Sequence, residues 1–211
     1  GSFLRVFKEK RSDWDLFGFD LNRKRAAEIE AICGASKFVC QELVELPNEV
    51  DLITLNYVLE HIDDVSTILQ QLIRKLSAQG VITFLVPNLA KNPYDPVVAD
   101  HLSHYTHGAV VEQLGAGLVL KSYEIFGKDL LIVGKPRHSD EGLSDREPMG
   151  SFLARQTIDR LIKNWEEMRD LARRQDGSFG IFGAAISASW LSQEAADFDH
   201  FFVDEDNREM V

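Results

Sequence analysis

Two short stretches concentrate the side chains able to do chemistry. In DLITLNYVLEHIDD, residues 51–64, an apolar run from Leu52 to Leu55 stops on Asn56 and is followed by Tyr57, Glu60 and His61. A continuous apolar run of that length reads as a buried strand. In an open α/β sheet, chemistry gathers just outside the carboxyl ends of strands. Asn56, Tyr57, Glu60 and His61 therefore form a hydrogen-bonding set at such an edge. The second stretch, KNPYDPVVADHLSHYTHG, carries His101, His104 and His107 at intervals of three, with Asp100 and Tyr105 among them. Histidine and aspartate are common metal ligands. Converging three histidines requires a defined helix face, however, and this segment has loop character. No metal is assigned to it, and a polar lid loop with helix caps is the plainer reading. A third candidate is Asp20, which ends the apolar run of DWDLFGFD. In nucleotide-binding α/β folds an acidic residue there accepts hydrogen bonds from both ribose hydroxyls, about 20 residues beyond a glycine-rich turn. Gly1 fits as the last glycine of that turn; otherwise Asp20 caps the next helix.

The elements that must position these groups alternate along the chain. GSFLRVFKEKR places Phe3, Leu4 and Phe7 on one side of a short helix. Leu16, Phe17 and Phe19 make a strand, and Asn22 can cap a helix carrying Ala26, Ile29, Ala31 and Ile32 at helical spacing. Lys37 to Cys40 is a short strand. Val65, Ile68, Leu69, Leu72, Ile73 and Leu76 then recur at helical spacing, with Gly80 as the expected stop. Val81 to Val86 is another apolar strand, ended by Pro87-Asn88 and followed by a polar loop from Leu89 to Ser103. A helix around Ala109–Leu114 precedes strands Val119–Phe126 and Leu130–Val133, which no long crossover separates, so they form an antiparallel hairpin. Uninterrupted apolar strands alternating with helices imply a mostly parallel sheet covered on both faces. Residues 136–150 read as a linker, with Pro, Gly, Ser and charge but no apolar period. Residues 151–211 then read as a long helix and a partial second βαβ unit. Its glycine turn, Gly180 to Gly183, and Asp204 lack a full nucleotide fingerprint.

Composition narrows the function classes. The 211 residues carry a formal net charge of −11, which argues against a phosphate-backbone binder and so against nucleic acid as partner. Cys33 and Cys40 make neither a metal pattern nor a disulfide framework and suit a reducing cytoplasm. No apolar run is long enough to span a membrane. A soluble, acidic, cytoplasmic α/β protein is expected, and the acidity does not exclude a nucleotide-sized ligand.

The LNYVLEHIDD segment resembles the fourth-strand motif of class I S-adenosylmethionine-dependent methyltransferases. That resemblance implies a Rossmann-like sheet over residues 1–135 and S-adenosylmethionine as cofactor. GSFLRVF resembles the helix after the glycine-rich loop, so the first strand and most of that loop are expected upstream of Gly1. The implied cofactor-binding residues are Gly1, Asp20, Leu21, Glu42, Leu43, Asn56 and Tyr57. Asp20 would hold the ribose, Glu42 and Leu43 the adenine edge, and Asn56 and Tyr57 the methionine part or the substrate entrance. Glu42 also reads as a solvated loop residue, and Glu60 and His61 as braces for the turn and the helix that follows.

The histidine loop, together with GIFGAAISASW and FFVDEDNRE, resembles the sugar C-methyltransferase family, whose Glu-His pair sits over the substrate. Asp100-His101 matches that pair and Tyr105 the later aromatic. Carbon methylation needs a base to form the carbanion or enolate and a donor for the oxyanion. His101, oriented by Asp100, is the expected base, because imidazole titrates near neutral pH; Tyr105 or His104 is the expected donor. The chain departs from that family at Val98, where it has a tyrosine, and lacks both its lysine after the C-terminal glycine turn and its four-cysteine zinc module. A nucleotide-linked keto-sugar is one implied acceptor. O- or N-methylation of another metabolite, or a methyltransferase-like binding domain without turnover, are the alternatives. A nicotinamide oxidoreductase ranks last, because a final antiparallel hairpin does not suit a six-stranded parallel dinucleotide fold.

Overall fold

The apolar runs recognised in the sequence become the strands of an α/β fold in a computed structural model. It describes residues 2–34, 37–92, 94–114, 117–125, 127–137, 150–174, 177–182 and 186–203. In chain order the elements are α1 (Ser2–Lys10), β1 (Gly18–Asp20), α2 (Ala26–Cys33), β2 (Phe38–Cys40), β3 (Val50–Asn56), α3 (Val65–Ile73) and β4 (Leu76–Pro87). They continue with α4 (His107–Leu114), β5 (Leu118–Ile125), β6 (Asp129–Pro136), α5 (Gly150–Arg173), β7 (Phe179–Phe182), α6 (Ile186–Glu194) and β8 (His200–Val203). Single 3₁₀ turns cover Leu43–Glu45, Leu59–His61 and Asp95–Val97.

β1 pairs with β2 in parallel, and a four-stranded sheet runs β3-β4-β6-β5. Within it β3 and β4 are parallel, whereas β6 runs antiparallel to both β4 and β5. The expected terminal hairpin is therefore present. β7 and β8 pair in parallel on either side of α6, which is the βαβ pattern of the C-terminal segment. Gly183 and Asp204, the turn glycine and acid of that segment, lie outside the described residues, as do Gly1 and residues 138–149 of the linker.

The core explains the order. Ile82, Phe84 and Val86 of β4 are fully buried, as are Leu130 and Ile132 of β6. They pack with Leu55, Leu59, Leu69, Leu72, Tyr105, Val110, Leu114 and Leu118 in one cluster, and Phe19 of β1 packs against it. A smaller cluster of Leu16, Ile29 and Cys33 is closed by Leu4, Phe7 and Trp14 from α1 and the segment after it.

Several boundaries differ from the sequence reading: Leu16 and Phe17 precede β1, and Gly180 of the expected glycine turn lies inside β7. Helix α3 ends at Ile73, and Gly80, expected to stop it, lies inside β4. There the register shifts between Val50 and Leu52 of β3, and a Cβ on Gly80 would stand 2.8 Å from the Val50 carbonyl oxygen. Close backbone approach, and not helix termination, accounts for the glycine. Asn22 does not cap α2, whose N-cap is Arg25 without a side-chain bond. Its Oδ1 instead accepts the Lys24 N–H at 3.1 Å, a local turn that competes with the helix.

Ile132, fully buried on β6, offers a graded test of this core. Ile132→Val should lower unfolding stability by about 1 kcal/mol, seen as a shifted urea midpoint with an unchanged slope.

Candidate functional site

The carboxyl ends of β1, β2 and β3 carry the first group of candidates. Asp20 ends β1 half-buried, and its Oδ1 accepts the Asn22 N–H at 3.0 Å. A carboxylate has about four lone-pair sites, so further donors can be received there. Its neighbour Leu21 is exposed. Gln41, directly after β2, has φ +73°, and its N–H reaches the Asp20 carbonyl at 3.2 Å. Tyr57, directly after β3, has φ +52°. Non-glycine residues in the left-handed region cost energy and gather at binding edges. Tyr57 donates its N–H to the Leu85 carbonyl at 2.8 Å. Burial, then a hydrogen bond to Asp129, pushes its phenol up to about 12. Asn56 is half-buried, with its Oδ1 accepting from Thr54 Oγ1 at 3.3 Å. Glu42 is exposed, whereas Leu43 is a buried member of the main core cluster.

The second group lies where the Leu59–His61 turn meets the loop after β4. The Glu60 carbonyl accepts the N–H groups of Leu102 and Ser103, at 2.7 and 3.2 Å. The loop is also pinned at its stem. Asn88 bridges to Tyr105, and the Leu89 N–H donates to the Tyr105 carbonyl at 2.8 Å. These backbone bonds hold the histidine segment against the end of β3.

Asp95, absent from the sequence candidates, is the centre of this loop. It is buried, and its two oxygens accept separately: Oδ1 from His101 Nδ1 at 2.8 Å and Oδ2 from His104 Nδ1 at 2.6 Å. A carboxylate accepts only, so each imidazole carries its proton on Nδ1 and its lone pair on Nε2. Asp100 does not orient His101. Its side chain is exposed, and its backbone carbonyl accepts from His61 Nδ1 at 2.9 Å. The reason is reach: the turn Asp95–Val97 folds the loop back, so the residue six positions earlier meets His101, while the Asp100 carboxylate lies 3.4 Å from His61 Nδ1.

His61 lies edge-on to His101, with ring centroids 4.9 Å apart. Tyr105, expected as an oxyanion donor, is packed into the core at 1% exposure. Burial pushes its phenol up to about 12, while a hydrogen bond to Ser103 pulls the other way. The alternation of apolar and polar residues in HLSHYTHG could not reveal which face the tyrosine takes. Asp95 had one sequence signal, an acid directly before proline at the opening of a turn.

Glu60 is the most costly group in the cluster. It is 1% exposed, and no other residue donates a hydrogen bond to either carboxylate oxygen. Burial raises its carboxyl above the ordinary range; its own backbone N–H opposes that shift most, then the His61 and His101 imidazoles, while Asp95 adds to it.

A family profile described as a methyltransferase domain matches residues 1–116, more than half of the chain. The chain belongs to this methyltransferase family. No curated protein matches it. Among solved structures, it is similar to a chain of the Haloferax volcanii complex between the Trm112 methyltransferase activator and a methyltransferase, with 15% identity and TM-score 0.53 over 65% of this chain and 79% of that one. It is also similar to PigF with SAH, at 18% identity and TM-score 0.53, covering 65% of this chain and 53% of that one. The PH0226 protein of Pyrococcus horikoshii OT3 matches at 12% identity and TM-score 0.50, over 65% and 77% of the two chains. At these identities the likeness is one of fold. Among the described residues no helix is long and apolar enough to cross a membrane.

Glu60 yields a pH test. With its carboxyl raised by burial, the native state gives nothing away below the ordinary carboxylate range and loses stability as pH rises through the raised value. Glu60→Gln removes that loss. In buffer with EDTA the variant should be more stable than the parent by about 1–3 kcal/mol at neutral pH. Urea denaturation should show the gap closing below about pH 4.

Proposed function

We propose that this methyltransferase uses S-adenosylmethionine to methylate a small molecule, with residues 1–135 as the catalytic domain and residues 151–211 as a unit docked beside the acceptor loop. C-methylation of a nucleotide-linked keto-sugar is the specific reaction put forward. The observation that carries the reading is the Asp95 carboxylate holding His101 and His104 by their Nδ1 protons beside the strand ends. S-adenosylmethionine, when bound, supplies an electrophilic methyl carbon on a sulfonium sulfur.

The residues at the strand ends fit such a ligand. Asp20 has acceptor capacity for ribose hydroxyls, with exposed Leu21 next to it in the chain. Asn56 and the exposed Tyr57 stand at the carboxyl end of β3, and Glu42 is the exposed acid that would serve the adenine amino group. Leu43, being buried, contributes through its backbone.

Transfer requires the acceptor atom, the methyl carbon and the sulfur in line. His101 takes the acceptor proton on Nε2, because Asp95 fixes its Nδ1 as a donor and stabilises the imidazolium that forms. The acceptor's freed electron pair would then be available to the methyl carbon that S-adenosylmethionine supplies, with the carbon–sulfur pair leaving on sulfur. His104, on the other Asp95 oxygen, is placed to serve a developing oxyanion once protonated. Tyr105 supports this arrangement from the core, and Asp100 does so by fixing His61.

Two measurements on the full-length protein test this. His101→Ala should lower turnover at least about 100-fold while leaving the calorimetric affinity for S-adenosylhomocysteine unchanged; retained turnover refutes the base. Asp20→Ala should weaken that affinity about tenfold or more, the worth of a hydrogen bond to a charged group. Absence of any heat with the parent protein at near-millimolar ligand would instead favour a binding domain without turnover.

A further inference from the structure

We propose that Glu60, His61 and His101 form a binding site for a divalent cation of the zinc class. One ligand atom from each of these three residues lies within 4.8 Å of the other two. Two imidazoles and one carboxylate are a donor set that zinc accepts at sites keeping an open position for water or substrate.

The independent observation is Glu60. Its side chain is 1% exposed, and no other residue donates a hydrogen bond to either oxygen. An ionised carboxylate in that position is costly unless it is paired or coordinates a metal. Among the described residues no Lys or Arg forms an ion pair with it. A divalent cation supplies the missing charge, and with two neutral imidazoles it leaves the site with a net charge of about +1.

The surroundings match a metal site beyond the ligands themselves. Metal-bound histidines characteristically donate their other ring N–H to a carboxylate or a backbone carbonyl. His101 donates Nδ1–H to buried Asp95, and His61 donates Nδ1–H to the Asp100 carbonyl. Both rings thereby keep the Nε2 lone pair for a cation. The ligand-bearing segments are tied together before any ion arrives, through the Glu60 carbonyl and the N–H groups of Leu102 and Ser103.

A second trio, Asp95, His101 and His104, also brings ligand atoms within 4.8 Å of one another. Both Asp95 oxygens there are already occupied by imidazole N–H groups. That makes Asp95 the orienting carboxylate and Glu60 the ligand.

The use of the site rests on the methyl-transfer reading; the binding does not. His101 Nε2 is also the base of the proposed methyl transfer, so a bound cation would occupy that lone pair and suppress proton removal there.

Zinc chloride titrated calorimetrically into EDTA-stripped full-length protein tests the site, with Mg²⁺ as comparator. One equivalent of Zn²⁺ should bind at micromolar affinity or tighter, and Mg²⁺ much more weakly. Glu60→Gln and His61→Ala should each weaken Zn²⁺ by at least about tenfold, and Asp95→Asn by about 10–100-fold. His104→Ala and His107→Ala should leave the affinity unchanged. Glu60→Gln is isosteric and relieves a buried charge, so it decides the matter even if His61→Ala fails to fold. Absent Zn²⁺ binding, or unchanged binding in Glu60→Gln, overturns the proposal. So does loss in His104→Ala with retention in Glu60→Gln, which would move the ion to the Asp95 trio. S-adenosylhomocysteine titrated in parallel separates the two readings, since its failure to bind would sink the transferase reading and leave the zinc stoichiometry standing.

Discussion

The site depends on one buried carboxylate that satisfies two imidazoles. Asp95 sits at 1% exposure, a position that an ionised side chain tolerates only when its oxygens receive hydrogen bonds. His101 and His104 supply them, one per oxygen. The arrangement fixes both tautomers at once and turns a polar loop of irregular backbone into a surface with two oriented lone pairs. The loop could not hold that geometry unaided. The bridge between Asn88 and Tyr105 and the bonds from Leu102 and Ser103 to the Glu60 carbonyl fasten it at stem and tip.

The C-terminal segment leans on the same loop. Tyr94, one residue before Asp95, donates its hydroxyl to the Met168 sulfur of α5 at 3.3 Å, and its ring lies 6.2 Å from Trp190 of α6. Trp190 in turn lies 5.9 Å from Trp165, and Arg160 donates to the Ala90 carbonyl at 3.0 Å. Contacts from two helices therefore converge on residues 90–95. The placement of Asp95 is thus coupled to packing outside the residues matched by the family profile.

The sheet was legible where apolar runs were dense. β3 and β4 announce themselves through Leu52–Leu55 and Val81–Val86, and the hairpin through the lack of a long crossover between its strands. Errors arose where two periods overlapped. Leu72, Ile73 and Leu76 continue a helical spacing, yet Leu76 already pairs with Val50. Within the site, His101 and His104 could be picked out by their chemistry, but their partner could not. Asp100 adjoins His101 in sequence, while Asp95 reaches it only after the chain reverses through Asp95–Val97. Proximity along the chain is a poor guide to pairing in a loop, where no helical or strand period constrains the side chains.

Glu60 shows most clearly what a sequence conceals. In LEHIDD it reads as a brace at a turn, and its backbone does brace, through the carbonyl that receives Leu102 and Ser103. Its side chain does the opposite of bracing, because a buried carboxylate that no other residue donates to works against folding. Glutamine or leucine could supply the same carbonyl without that penalty. A rule-breaking residue inside a locally consistent fold points to function at that position. The two imidazoles nearest it, His61 and His101, each have Nδ1 tied to an acceptor and Nε2 left over. The unmet demand of the carboxylate and the unused lone pairs of the rings therefore converge on one place, the junction between the end of β3 and the loop after β4.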